Sequence, residues 1–467
     1  MASTITAPSY DPTTTAQALA QKTTSVAQTK IDSDTTTTAA TAKALTSLSS
    51  AISAFQNSLS TLTGTGKSML AQGATLSNTS LATASAKPTA AAGSYSLFVK
   101  QVATAGQVSY NNLNDSGTLG GTLKVKLSDE SVTPSTAVPF DVDLSAANAD
   151  TDKDGKLSVR ELASAINRAS GNAGQVSAGV VTIGTETRLV LTSKNTGVAN
   201  TISLDASGVT DGTLKAAGRT MVTPAQDAIL MLGGENGTAI KQASNTFTNI
   251  DGVSLTVTKA QAAGETPLSM TVGGDSSKTS ANVQSFVDAY NKLKSAIDSL
   301  VDPGDPANNV AAGAFAHDAG VSALQSRLVS LMRPGGGGSL ASFGITANRD
   351  GSLSLDSTRL NKQLAIDPTG LDKLIGSASA SAPAGIAGSL NTYLNQWSNS
   401  ANGQIKQRTD ANNTLQSTLT KRQSDLDEQY NSAYARYLKQ YTDLQALQST
   451  MNSNLSMFDA LFSSDKS

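Results

Sequence analysis

Leu45-Thr46-Ser47-Leu48-Ser49-Ser50-Ala51-Ile52-Ser53-Ala54-Phe55-Gln56-Asn57-Ser58-Leu59-Ser60-Thr61-Leu62 places its large apolar residues at 45, 48, 52, 55, 59 and 62, with small or polar residues between. Steps of three and four keep one narrow stripe on one face of a helix, which is the spacing of a coiled-coil seam. A stripe this narrow needs a partner helix. Two later stretches repeat it. One is Val283, Phe286, Tyr290, Leu293, Ile297 and Leu300; in the other, Tyr430, Tyr437, Leu444, Met451 and Phe458 recur every seven residues beside Tyr434, Tyr441, Leu455 and Phe462. The seams predict a bundle made from both ends of the chain, closed within a subunit or between subunits.

Upstream of the first seam, Asp11-Pro12 reads as a helix cap with proline in the first turn. The threonine runs Thr13 to Thr15 and Thr35 to Thr38 predict only a weak helix, disordered when alone, over residues 1–40. Between the seams, from about residue 80 to 278, the period changes to two. Tyr95, Leu97 and Val99; Leu123, Val125 and Leu127; Phe140, Val142 and Leu144; Val253, Leu255 and Val257; and Leu268, Met270 and Val272 all alternate with polar neighbours, as half-exposed antiparallel strands do. One helix with Leu157, Leu162 and Ile166 on its apolar side interrupts them. Further on, a helix from Val321 to Met332 stops at Pro334-Gly335-Gly336-Gly337-Gly338, and Ile345 to Asp356 reads as a hairpin around Asp350-Gly351.

The composition narrows the function. Of 467 residues only 15% are charged, against roughly 25% in an ordinary soluble domain, and 4% are aromatic. Lys+Arg 34 against Asp+Glu 36 leaves a net charge of -2, so no global positive field draws nucleic acid or an anionic membrane. With Cys 0 and His 1 the chain has no thiolate and no imidazole pair, which argues against an enzyme; no catalytic residue and no organic cofactor site is expected. The opening Met1-Ala2-Ser3-Thr4 has no basic and apolar signal-peptide pattern, and no run of about 18 apolar residues predicts membrane insertion.

The most specific local pattern is Asp150-Thr151-Asp152-Lys153-Asp154-Gly155-Lys156-Leu157-Ser158-Val159-Arg160-Glu161, which satisfies D-x-[DN]-x-[DN]-G-x₅-E throughout. Calcium takes six to eight hard oxygen ligands, and such a loop wraps them around one point. Side chains of Asp150, Asp152 and Asp154, the carbonyl of Lys156, Ser158 directly or through water, and both oxygens of Glu161 are the expected ligands. The opposing reading is a solvated acidic loop in which Gly155 makes a turn and Asp154 starts a helix; strand-like Phe140 to Leu144 stands where an entering helix would be.

Other motifs carry less. Gly64-Thr65-Gly66-Lys67-Ser68 lacks the first phosphate-loop glycine, because residue 61 is Thr, and follows a helix where a strand is required. Gly233-Gly234-Glu235-Asn236-Gly237 reads as a loop between strands, and His317 beside Asp318 as a solvated loop residue. Trp397 is expected to pack where the C-terminal helices begin, and Asp425, Asp427 and Glu428 to form a wet helix face.

The stretch Ala435-Arg436-Tyr437-Leu438-Lys439-Gln440-Tyr441-Thr442-Asp443-Leu444-Gln445-Ala446-Leu447-Gln448-Ser449-Thr450-Met451-Asn452 resembles the closing segment of the bacterial flagellar filament cap proteins, the hook-associated protein 2 family. Gly93 to Leu97, Ala225 to Ala228, Asn245 to Val253, Phe286 to Asn291 and the Ile345 to Asp356 hairpin resemble further family segments in the same order. Leu157 to Ser170 followed by Arg188 to Ser193 is similar to a repeat shared by flagellins and hook-associated proteins. The resemblance starts near residue 40, where the Thr-rich stretch replaces the usual opening.

That resemblance implies an α+β, flagellin-like nested architecture, with terminal α-helical coiled-coil legs and inserted antiparallel β-rich head domains. Residues 1–40 would be an N-terminal leg and export region. Residues 41–76 with 279–424 would form a helical core with a β-hairpin, 77–130 with 222–278 a β-rich head, 131–221 an outer head carrying the acidic loop, and 425–467 a C-terminal leg helix. It further implies a homo-oligomeric ring, a pentamer or another size, at the extracellular tip of the flagellum. Flagellin, hook-filament junction proteins and a cytosolic export chaperone would be partners, and export would run through the flagellar type III apparatus. Leu45, Leu48, Ile52, Phe55, Leu59 and Leu62, with Tyr430, Tyr437, Leu444, Met451 and Phe458, are the expected oligomer and leg-packing residues. Two alternatives stay open: a hook-filament junction or filament subunit, and a calcium-stabilised surface adhesin.

Overall fold

The computed structural model describes residues 11–131, 139–333 and 339–463. The described residues form ten α-helices: α1 (Pro12–Thr63), α2 (Ala146–Ala149), α3 (Val159–Arg168), α4 (Gly212–Lys215), α5 (Ser276–Val301), α6 (Ala319–Leu331), α7 (Ser357–Ile366), α8 (Gly370–Ile375), α9 (Gly385–Ser398) and α10 (Gln404–Ser463). The chain divides into two units, one made of Met1–Met69 with Ser277–Ser467, the other of Leu70–Ser276.

The Leu70–Ser276 unit is built from antiparallel strands on two apolar cores. In the first, β1 (Gln72–Leu76), β15 (Leu268–Gly274), β3 (Gly93–Gln101), β11 (Ala228–Leu232) and β12 (Thr238–Gln242) form one sheet in that order; β13 (Thr246–Phe247), β14 (Val253–Val257) and β2 (Ala82–Ala86) form another. Leu97, Val99, Leu230, Val253, Leu255, Val257, Leu268, Met270 and Val272 fill the space between them. These are the alternating residues, as period two requires when one face is covered. At the neck of this unit the Asp275 N–H donates to the Ala71 carbonyl at 2.8 Å, and Gln72 faces Gly274 in the β1–β15 ladder.

The second core lies between a sheet ordered β10 (Gly218–Thr223), β4 (Ala105–Asn111), β8 (Glu186–Thr196), β7 (Val176–Ile183) and a smaller one ordered β6 (Phe140–Asp143), β5 (Thr122–Ser128), β9 (Thr201–Asp205), with α3 packed in. This moves the expected head boundaries. Residues 105–128 were assigned to the inner head, yet Val108 and Tyr110 on β4 stand opposite Leu191 and Leu189 of β8, and Val125 on β5 stands opposite Leu204 of β9. Those apolar faces share one core with Leu162 and Ile166 of α3, so the outer head begins near residue 105. Likewise β1, expected in the helical core, is a strand of the inner sheet.

In the other unit, Asp11 accepts from the N–H groups of Thr13 and Thr14 and starts α1, a helix of 52 residues. From Pro12 onward this stretch is helical and is packed against α10, not alone; Met1 to Tyr10 lie outside the described residues. Packing against α10 offsets the low helix propensity of the threonines, whose hydroxyls donate back one turn, as Thr29 does to the Ser25 carbonyl, Thr36 to Asp32 and Thr37 to Ser33. The two internal seams are buried as expected. Leu45, Leu48, Ile52, Phe55 and Leu59 on α1 are sealed, as are Val283, Phe286, Tyr290, Leu293 and Ile297 on α5, while Leu62 and Leu300 are half-buried. Phe55 and Phe286 meet with ring centroids 6.4 Å apart. Strands β16 (Ile345–Ala347) and β17 (Leu353–Leu355) form the expected hairpin, which the Asn291 amide clamps through two 2.8 Å hydrogen bonds to the Leu353 backbone.

Candidate functional site

The two helices at the chain ends lie side by side and antiparallel. Gln28 and Gln423 exchange reciprocal amide hydrogen bonds at 2.9 Å, and the Asn412 amide donates to the Thr38 carbonyl at 3.2 Å. Position on α10 therefore falls as position on α1 rises. Small residues line the contact on α1: Ala16, Ala20, Thr24 and Thr38 are buried and permit close approach. On α10 the buried row is Ile405, Asn412, Leu419, Leu426 and Ala433, spaced by seven.

That row runs beside the expected leg-packing residues, whose contacts between subunits lie outside a single chain. Tyr430 and Tyr437 are half-buried beside it, Tyr430 stacked on Tyr434 with centroids 6.4 Å apart and Tyr437 under the Arg436 guanidinium at 5.0 Å. Leu444, Met451 and Phe458 are 40%, 52% and 58% exposed, as is the companion Leu455 at 49%. The physical reason is length. Thr23 meets Tyr437, α1 begins at Pro12, and α10 runs on to Ser463 without a break at residue 425. The same seam therefore has a covered half and an open half. The covered row escaped the sequence pattern because Asn412 and Ala433 are not large apolar residues, although seven-residue spacing from Leu419 and Leu426 would have exposed it.

Near the start of α10, Arg408 pairs with Asp318, the N-cap of α6, through Nη1 to Oδ2 and through Nη2 to Oδ1 at 3.0 Å, and lies 5.6 Å from the Trp397 ring centroid. The guanidinium holds the Asp318 carboxyl below the usual carboxylate range, an effect that outweighs burial. Trp397 is buried on α9 and His317 is exposed, both as expected; Asp425, Asp427 and Glu428 are exposed on α10. The Gly64 to Ser68 segment is the C-cap and turn after α1, and Gly233 to Gly237 joins β11 to β12.

The acidic loop precedes α3. Gly155 has φ +77° and Lys153 φ +63°, two left-handed positions that coil the backbone tightly; Gly155 accepts that geometry without strain. Carboxylate oxygens of Asp150, Asp152 and Asp154 lie within 4.8 Å of one another. Asp150 Oδ2 accepts from the Gly155 N–H at 3.1 Å, Asp152 from Asp154 and Asp154 from Lys156. Leu157 forms an isolated bridge with Gly117 and is buried.

Glu161 closes the loop on itself. Its Oε2 accepts from the Ser158 N–H and hydroxyl at 3.0 and 2.9 Å, a capping box that starts α3, and its Oε1 accepts from the Thr151 N–H at 2.6 Å. Burial alone would raise this carboxyl, but the hydrogen bonds from Ser158 and Thr151 hold it at about 2. Glu161 and Ser158 thus brace the two ends of the loop.

Among the described residues no helix is long and apolar enough to cross a membrane. The family model described as the flagellar hook-associated protein 2 C-terminus matches residues 225–453, and that described as its N-terminus matches residues 9–106. The second match carries the likeness back beyond residue 40, where the sequence resemblance had stopped. The lateral flagellar hook-associated protein 2 of Vibrio parahaemolyticus is 34% identical over 381 residues, covering 80% of this chain and 83% of that protein. The B-type flagellar hook-associated protein 2 of Pseudomonas aeruginosa is 30% identical over 444 residues, covering 89% and 88%. A crystal structure of the flagellar cap protein FliD, domains D1-D2-D3, from Escherichia coli superposes with a TM-score of 0.58 at 26% identity, covering 79% of this chain and 99% of that one. The end helices, the antiparallel sheets inserted between them in sequence, the two family models and these relatives agree, and the chain belongs to the flagellar hook-associated protein 2 family.

Proposed function

We propose that this chain is a flagellar filament cap protein, whose copies close into a small ring, a pentamer or a neighbouring size, at the distal tip. The observation that carries the reading is the split seam of α10: a covered half fixes the leg to α1, and the open half at Leu444, Leu447, Met451 and Leu455 keeps apolar surface for contacts made on assembly. The superposition on a chain described as a flagellar cap protein supports the same conclusion. In this reading the legs engage flagellin and hook-filament junction proteins, while the β-rich heads form a plate above the growing end. The work is steric confinement of an incoming flagellin subunit and needs no covalent chemistry. Export would use the flagellar type III route, with a cytosolic chaperone covering the C-terminal helix beforehand.

Deleting the gene should leave cells that secrete flagellin as monomer and build no filaments. Filaments of normal length would overturn the proposal. A filament or junction subunit would instead give long polymers of the purified chain in electron micrographs, and an adhesin would give normal motility with lost attachment.

A further inference from the structure

We infer that the distal half of β7, Val180 to Ile183 in the outer head, is a strand-pairing surface for the same segment of a second copy of this chain. Strand β7 is an edge of its sheet, whose order is β10, β4, β8, β7. An edge strand turns the backbone N–H and C=O of every second residue outward, where they serve as a template for another strand. The first half of this edge is closed by side chains. Asn172, which is buried, accepts from the Val176 N–H at 2.9 Å and donates to the Val176 carbonyl at 2.8 Å. Asn167 accepts from the Ala178 N–H at 2.8 Å and donates to the Ala178 carbonyl at 2.7 Å. Each amide stands in for one residue of a neighbouring strand. The edge of β9 is closed in a similar way: the Tyr110 hydroxyl accepts from the Leu204 N–H at 3.0 Å, and Arg219 donates to the Ile202 carbonyl at 2.8 Å.

On β7 the capping stops at Ala178. Alternation turns the N–H and C=O of Val180 and Thr182 to the same open side, and among the described residues no side chain caps them. The same segment carries exposed apolar side chains. Val181 is 46% and Ile183 57% exposed, on the face of the strand away from the core that holds Val176 and Ala178. An open backbone edge and uncovered apolar side chains thus coincide. The register identifies the occupant. An antiparallel second copy, placed about a two-fold axis at Val181, sets Val180 against Thr182 and Thr182 against Val180, and each pair exchanges both of its backbone hydrogen bonds. Val181 then faces Val181 across the axis, and Ile183 faces Gly179. Beyond Ile183, Gly184 of the turn would meet Ala178, which is already capped, so the pairing ends there on both sides. No charged residue from Val176 to Ile183 repels a like strand. A segment this short supplies far fewer than the roughly 20–30 residues a side of a standard interface, so the contact is weak and reversible. Being isologous, it joins two chains and stops, apart from the ring contacts proposed for the legs.

The chain has no cysteine, so a single introduced thiol reports the contact. Facing Cα atoms in a non-hydrogen-bonded antiparallel pair are about 4.5 Å apart, within the roughly 4.4–6.8 Å that a disulfide spans. Purified full-length Val181→Cys, oxidised with glutathione disulfide, should form a disulfide-linked dimer at least about tenfold faster than Ser177→Cys at the same concentration. Ser177 is exposed on the same face of β7 but in the capped half. Adding Thr182→Pro to Val181→Cys removes one open N–H at an edge position that tolerates proline, and should return the dimer to the slow rate. Where the proline variant fails to fold, the native chain supplies the second measurement: hydrogen exchange in the peptide containing Val180 and Thr182 should slow about threefold or more as protein concentration is raised, with no such change in the capped Val176 to Ala178. Equal dimer rates at positions 181 and 177, an unchanged rate in a folded Thr182→Pro variant, or exchange independent of concentration would overturn the inference.

Discussion

The two halves of α10 share one helix and one heptad spacing but have opposite surroundings. From Ile405 to Ala433 one heptad row is buried against α1; farther on, Leu447 of that row and the neighbouring Leu444, Met451 and Leu455 are open. Spacing thus announces that a helix face wants a partner, and only the length of the opposing helix decides where one is supplied. Chemistry follows the environment: the covered half mixes Ile405, Leu419 and Leu426 with Asn412, Ala433 and the Gln28–Gln423 amide pair, which fix the register, while the open half adds the adaptable methionines Met451 and Met457.

The contrast can be broken most directly at Leu419. Leu419→Ala should destabilise the helical unit by about 2–5 kcal/mol, since the side chain is fully enclosed. Denaturant unfolding followed by far-ultraviolet circular dichroism measures it, and a loss no larger than that of Leu447→Ala would erase the distinction. A smaller effect sharpens the picture at the base of the covered half. Asp318 is held below its ordinary value by Arg408, so the pair stabilises above about pH 4 and is lost as pH falls through the depressed value. The difference in thermal midpoint between the native chain and Arg408→Gln should therefore shrink on going from pH 6 to the most acid conditions; a constant or growing difference contradicts it. Smallest for folding are Met451→Ser and Leu455→Ser, expected to shift monomer stability by no more than about 0.5 kcal/mol while abolishing ring formation in sedimentation. Rings unchanged in both variants would detach the open half from assembly.

The seams at Leu45 to Leu59 and Val283 to Ile297 were legible because their faces are uniformly apolar, and the strands through Leu255 and Met270 because period two survives burial on one side. The boundary between the two heads was not. Strands β4 and β5 look like their neighbours in β3, and only pairing with β8 and β9 assigns them to the outer core. The covered row of α10 was hidden by its small and polar members, such as Asn412, whose partner Thr38 lies 374 positions away in sequence. Glu161 shows a different limit. Ser158-x-x-Glu161 satisfies both a capping box and the last positions of a calcium loop, and local sequence alone does not choose between them.

The hydrogen bond between Asp275 and Ala71 has a kinetic consequence. The leg helices join residues such as Gln28 and Gln423, which are 395 positions apart, and a loop of that size is slow to close in a flexible chain. Once the insert has folded and pinched its own ends together, some two hundred residues cease to count toward that loop, which halves it and eases the pairing of α1 with α10 by about 0.6 kcal/mol. A polypeptide emerging end first thus has a built-in timer: the heads can mature early, but the legs cannot pair until the last helix has arrived.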